Sequence, residues 1–161
     1  MRPSLLKRPE AKTWRDQIKA AGKTLVFTNG CFDILHRGHV TYLEFARSQG
    51  DALLIGLNSD ESVRRAKGPE RPINTAEDRA FVLCGLRCVD AVVIFEEDEP
   101  RELIAEVIPD ILVKGRDWAH YVSGRDIVEA NGGRVVLADL VEGQSTTNVI
   151  RRIYGGAPAR G

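Results

Sequence analysis

Five short apolar runs punctuate the chain: "TLVFT" at 24–28, "ALLIGLN" at 52–58, "AVVIF" at 91–95, "DILVK" at 110–114 and "RVVLA" at 134–138. Each is continuous rather than alternating. That pattern marks strands covered on both faces, and hence a parallel sheet. Amphipathic segments lie between them and predict helices at about 37–49, 60–66, 75–86, 100–107, 124–131 and 146–153. Start and stop signals agree. Thr75 precedes "AEDRAFVL" with Asp78 three places on, a near capping box. Pro100 suits a first helical turn, and Ser145 is placed to cap "TTNVIRRI". Gly50 and the pair Gly132–Gly133 suit helix ends. Strands alternating with crossover helices predict an α/β fold, a doubly wound five-stranded parallel sheet. Such sheets bind ligands beyond the C-terminal ends of their strands. The loops at 28–39 and 115–117 therefore become the candidate site.

The ends read differently from the middle. Residues 1–22 are polar and charged, an N-terminal arm with one short helix around "AKTWRDQIKAA". Residues 23–153 form the domain, and 154–161 read as a flexible tail. A chain of 161 residues suits one domain with a real core. Its 23 basic and 23 acidic residues cancel, which speaks against nucleic acid as a partner. Aromatic side chains for stacking bases are few as well. Cys31, Cys84 and Cys88 form neither a disulfide framework nor a CxxC pair, which fits a reducing compartment. No run reaches the length of a membrane span and the first residues lack a leader's apolar stretch. The expectation is a cytoplasmic protein with no membrane partner.

The stretch "FTNGCFDILHRGHV" carries the sharpest chemistry. A helix starting near His36 places His36 and His39 three apart on one face. Unpaired N–H groups and a positive dipole end make that position a natural anion site. Gly30 allows close approach of a ligand to the backbone, and Gly38 allows tight packing at the helix start. Zinc needs three or four ligands, and only Cys31 and His120 are loose additions to the two histidines. The P-loop pattern GxxxxGK[ST] and the dinucleotide pattern GxGxxG are both absent. Spacing alone leaves phosphate handling, plain structural capping and a weak zinc reading open.

Here the sequence resembles a known family. "GCFDILHRGH" is similar to the GxFDxxHxGH motif of the cytidylyltransferase-like nucleotidyltransferases. Further on, "KGPERPIN", "VKGRDW" and "EGQSTTNVIRRI" resemble the adenylyltransferase domain of bacterial ADP-heptose synthases. The resemblance runs over roughly residues 23–153. It implies a Rossmann-like nucleotidyltransferase fold. It also implies transfer of AMP from ATP to D-glycero-β-D-manno-heptose 1-phosphate, giving ADP-heptose and pyrophosphate for lipopolysaccharide core. In that family the domain is often fused to a sugar kinase, for which this chain has no room. A separate heptose 7-phosphate kinase is then expected to act first, and a homodimer or higher homo-oligomer is expected. Two alternatives stay in view: a cytidylyltransferase acting on glycerol 3-phosphate or another small phosphate ester, and a non-catalytic nucleotide-binding regulator.

The resemblance also implies roles. His36 and His39 contact the triphosphate and stabilise charge at the α-phosphorus. Lys67 joins them with a phosphate contact; Arg71 is a weaker candidate. Thr28 ends the first strand as a donor to the triphosphate. Asn29, Gly30, Cys31, Phe32 and Asp33 line the nucleotide pocket, mainly through backbone, and Gly38 makes room. Arg79 either reaches the site or pairs along its own helix. Gly115, Arg116 and Asp117 border the nucleotide sugar and base, although the family usually has a second glycine where this sequence has Arg116. Ser145, Thr146 and Thr147 face the β- and γ-phosphates. Mg²⁺ accompanies ATP, held by phosphate oxygens and water, with no protein ligand named. The acceptor phosphate, with a second pKa near 6, is largely ionised at neutral pH, so no general base is required.

Overall fold

The computed structural model describes residues 4–155. All five expected strands form: β2 Leu25–Gly30, β3 Ala52–Asn58, β4 Ala91–Phe95, β5 Ile111–Gly115 and β6 Arg134–Ala138. The sheet has a sixth, β1 Ser4–Leu6, so the expected count of five is corrected. β1 pairs with β4 in the register Ser4↔Ala91 to Leu6↔Val93. Three residues with a polar leader show no periodicity, and only the exposed edge of β4 makes them a strand. Residues 4–20 are accordingly part of the sandwich rather than an arm beside it. Helix α1 spans Arg8–Ala20, buries Ala11, and sets Trp14 and Ile18 against the core. The tail expected at 154–161 lies outside the described residues from 156 onward.

The remaining helices follow the sequence pattern closely: α2 Arg37–Ser48, α3 Asp60–Lys67, α4 Ala76–Cys84, α5 Arg101–Val107, α6 Arg125–Ala130 and α7 Thr146–Ile153. Their caps are those the sequence predicted at two places. Thr75 Oγ1 accepts from the N–H of Asp78 at 3.2 Å, and Ser145 Oγ from that of Asn148 at 3.0 Å. Pro100 stands one place earlier than expected, at the N-cap of α5.

The sheet runs β1-β4-β3-β2-β5-β6 with every pair parallel. Side chains alternate across it and build two cores. Phe27, Leu54, Val93 and Leu112 pack under α1, α5 and α6. Val26, Ile55, Val92 and Val113 pack under α2 and α4. From β2 the chain first builds outward through β3 and β4, then returns to place β5 on the other side of β2. The crossovers therefore diverge at the C-terminal ends of β2 and β5, and a crevice opens there. Among the described residues no helix is long and apolar enough to cross a membrane.

Candidate functional site

A cleft of about 960 Å³ occupies that switch point. Its floor begins where β2 ends. Gly30 is required there, since a Cβ would come within 2.8 Å of the Phe32 ring. Phe32 itself takes a positive φ of 46°, turning the chain sharply toward α2.

His36 is the N-cap of α2, and its ring reaches back into the helix. Its Nδ1 accepts from the N–H of Gly38 at 3.1 Å. His39 Nδ1 in turn accepts from the N–H of His36 at 3.3 Å. The two rings stack with centroids 3.9 Å apart. A Cβ on residue 38 would meet the His36 ring at 2.9 Å, so glycine is what lets the cap close. Both Nδ1 atoms are acceptors, so each neutral ring carries its proton on Nε2. Burial lowers the pKa of His36. Burial, and then the neighbouring His36, hold His39 at about 4. At neutral pH the pair is therefore two uncharged N–H donors. This revises the sequence-based picture of open backbone N–H groups at the helix start: the His36 ring takes the Gly38 amide, the His39 ring takes the His36 amide, and each presents its own Nε2–H instead.

Asp33 is committed to structure. Its side chain is fully buried and accepts from Arg71 Nε at 2.8 Å. The N–H groups of Ile73 and Asn74 also donate to it, at 2.8 and 2.9 Å. Burial is the largest single influence on its pKa and raises it, but the three donors together outweigh burial and hold it below the ordinary carboxylate range. The loop after α3 is thus latched onto the loop after β2. Lys67, the last residue of α3, lies on the cleft wall at the start of that latched loop.

The opposite rim comes from β5 and α7. Gly115 ends β5 where a Cβ would lie 2.5 Å from Asp117 Oδ1, so the carboxylate folds over the strand end. Gly115 and Asp117 line the cleft, as do Ser145, Thr146 and Thr147. Thr146 Oγ1 donates to the carbonyl of Ile34 at 3.3 Å and ties α7 to the histidine loop. Asn29, Cys31 and Gly38 also reach the cleft. Burial raises the Cys31 thiol's pKa, which leaves it a poor nucleophile.

Three expected residues are placed elsewhere. Thr28 is fully buried. Its hydroxyl lies 2.6 Å from that of Tyr42, and both reach the Val113 carbonyl, at 2.9 and 3.1 Å. It joins β2 to β5 and α2 and does not line the cleft. Arg79 is a fully buried side chain whose guanidinium is spent on Asp60 and on the carbonyls of Cys31, Asn58 and Asn74. It knits the ends of β2 and β3 from behind. Arg116 pairs with Asp139 at 2.7 Å on the surface, beside the cleft rather than in it. Lys114, Glu99, Tyr121 and Ser123 also line the cleft and were not foreseen. Lys114 enters the cleft from β5, and its Nζ donates to Asn29 Oδ1 at 3.2 Å. The signal was a lysine ending an apolar strand beside the glycine of "VKGRD". Among the described residues no cluster of three His, Cys, Asp or Glu is placed to hold a metal ion.

Comparison with known proteins places the chain in a family. The cytidylyltransferase-like family matches residues 27–152. The bifunctional protein HldE of Syntrophotalea carbinolica is 60% identical over 82% of this chain and 27% of its own length. That of Gluconacetobacter diazotrophicus is 54% identical over 98% of this chain and 33% of its own length. The chain thus spans between a quarter and a third of these relatives. A lipopolysaccharide core biosynthesis protein from Thermoplasma volcanium superposes with a TM-score of 0.62 at 28% identity, covering 76% of this chain and all of its own. A pantoate-β-alanine ligase from Francisella tularensis shares the fold, with a TM-score of 0.60 at 12% identity, over 95% of this chain and 78% of its own.

Proposed function

This chain belongs to the cytidylyltransferase-like family, and on that premise we propose that it transfers AMP from ATP to D-glycero-β-D-manno-heptose 1-phosphate, releasing pyrophosphate. The observation that carries the reading is the stacked His36–His39 pair at the switch-point cleft. High identity to the HldE proteins over this segment supports the heptose assignment.

The chemistry asks for alignment and charge stabilisation rather than a base. An ionised sugar phosphate attacks the α-phosphorus in line, and negative charge builds on the oxygens passing to pyrophosphate. His36 and His39 direct two Nε2–H donors at that charge. Being neutral, they stabilise it without having to move a proton. The hydroxyls of Ser145 and Thr147 hold the β- and γ-phosphates on the α7 side, and Lys67 adds a cation at the mouth. Asp117 accepts from the ribose hydroxyls. Mg²⁺ would be carried on the triphosphate, held by phosphate oxygens and water. When bound, the ion neutralises phosphate charge. A kinase acting on heptose 7-phosphate would install the phosphate at C1, and hydrolysis of the 7-phosphate would then leave the acceptor.

The test is pyrophosphate release with Mg²⁺, each nucleoside triphosphate and a panel of phosphate esters. ATP with heptose 1-phosphate is expected to give ADP-heptose by mass spectrometry. Turnover only with CTP and glycerol 3-phosphate would replace the adenylyl assignment. Nucleotide binding without turnover on any acceptor would mark a regulator.

A further inference from the structure

Opposite the histidines, the cleft carries a second set of polar side chains that nucleotide binding leaves without a task. Phe27 and Leu112 face the α1, α5 and α6 layer. Two residues on, Asn29 and Lys114 face the same way. Lys114 is burdened there: burial lowers its pKa, and its ammonium lies 5.4 Å from the centre of the Trp118 ring. An ammonium offers three N–H donors, and among the described residues Asn29 is its hydrogen-bond acceptor. Nearby, on the loop after β4, Glu99 accepts from the Tyr121 hydroxyl at 2.8 Å and from Ser123 Oγ at 3.2 Å. Both donors go to Oε2. The second oxygen, Oε1, receives no hydrogen bond from the described residues. A half-used carboxylate, a lysine with donors to spare and an indole face make a surface for a ligand rich in hydroxyl groups. All of these residues line the same cleft as the histidines.

We infer that this wall, formed by Lys114, Glu99, Tyr121 and Ser123 with Trp118 beside them, binds the polyol of the acceptor sugar phosphate. The inference rests on the transferase reading above. In-line displacement requires nucleophile and leaving group on opposite sides of the α-phosphorus. Pyrophosphate departs toward α2, which lies over the face that carries Val26 and Val113, and toward the start of α7, which Thr146 ties to the histidine loop. The acceptor must then approach from the face that carries Lys114. There, Glu99 Oε1 accepts from neighbouring sugar hydroxyls, Tyr121 and Ser123 keep the carboxylate aimed, and Lys114 donates to a sugar or phosphate oxygen. Trp118 covers the apolar face of the ring.

The test is steady-state kinetics of Glu99→Gln, Tyr121→Phe and Lys114→Met in the full chain, varying ATP and the sugar 1-phosphate separately. Circular dichroism melts check folding, and Tyr121→Phe is the control for a variant that fails to fold. The expected result is a tenfold or greater rise in KM for the sugar phosphate with KM for ATP unchanged. Discrimination against a hexose 1-phosphate should narrow as well. A rise in KM for ATP alone would make this the nucleoside's wall and overturn the inference. Unchanged values for both substrates would make the wall merely structural, with the same consequence. A wild-type chain that turns over no sugar 1-phosphate would instead remove the transferase reading itself, and this inference with it.

Discussion

His39 holds its proton less readily than an ordinary imidazole, at a pKa of about 4, because it is buried beside His36. The unfolded chain titrates the same ring near 6.5. Between those values the unfolded state binds the extra proton, so stability falls as pH drops from about 6.5 toward 4. His39→Gln is expected to flatten the dependence of Tm on pH within that window, as read by thermal melts in matched buffers. An unchanged slope would mean the ring is not held neutral. Catalysis reports on the same pair. His36→Ala and His39→Ala should each lower kcat about 100-fold or more, by analogy with loss of an oxyanion donor, with Mg·ATP still raising Tm. The HxGH spacing made these two residues legible in the sequence. It did not show that each Nδ1 would be consumed by a backbone amide, because that depends on the angle at which the ring folds back. The same limit hid Arg79 and Thr28. Their residue types suit phosphate binding, and only the packing of β2, β3 and α2 around them decides otherwise.

At the scale of elements, Asp33 gathers three donors from the loop between α3 and α4, which Arg79 also holds at the Asn74 carbonyl. Asp33→Asn would leave Arg71 and an amide N–H facing a neutral group. Breaking a buried ion pair from one side costs about 3 kcal/mol or more. The expected readout is local as well as global: faster hydrogen exchange at the Ile73 and Asn74 amides, with a lower Tm. Slow exchange at both amides in the variant would show that the loop has some other anchor. A smaller change tests the cap of α4, where Thr75→Ala should cost about 1 kcal/mol in denaturant unfolding. These elements were readable for different reasons. Continuous apolar runs gave the five long strands, and cap residues gave α4 and α7. The latch was not readable, because Asp33 and Ile73 are forty residues apart and nothing in either segment points to the other. β1 was hidden likewise, since three residues carry no period and its partner lies in β4.

For the molecule as a whole, the order β1-β4-β3-β2-β5-β6 separates edge from site. β1 lies three strands from β2, where the cleft begins. It is nonetheless secured from two directions. Leu6 packs against the core, and α1 follows at once, with Arg15 donating to the carbonyl of Ile108 at 3.2 and 2.9 Å. Ile108 ends α5 in a left-handed conformation, and the guanidinium satisfies the carbonyl left over there. Deleting residues 1–6 removes β1 while sparing Lys7, the N-cap of α1. Losing the partial burial of Leu6 and three residues of pairing should cost about 1–2 kcal/mol, or roughly 3–8 °C in Tm for a chain of this size. The deletion also uncovers the backbone edge of β4, whose Ala91, Val92 and Val93 are buried apolar residues. An apolar edge of that kind recruits other chains, so light scattering at elevated temperature should become concentration-dependent. Turnover per folded molecule should stay at the full-length value, because every cleft residue remains in place. A truncated chain that melts normally yet turns over slowly would contradict that separation, and would place the N-terminal strand within reach of the site.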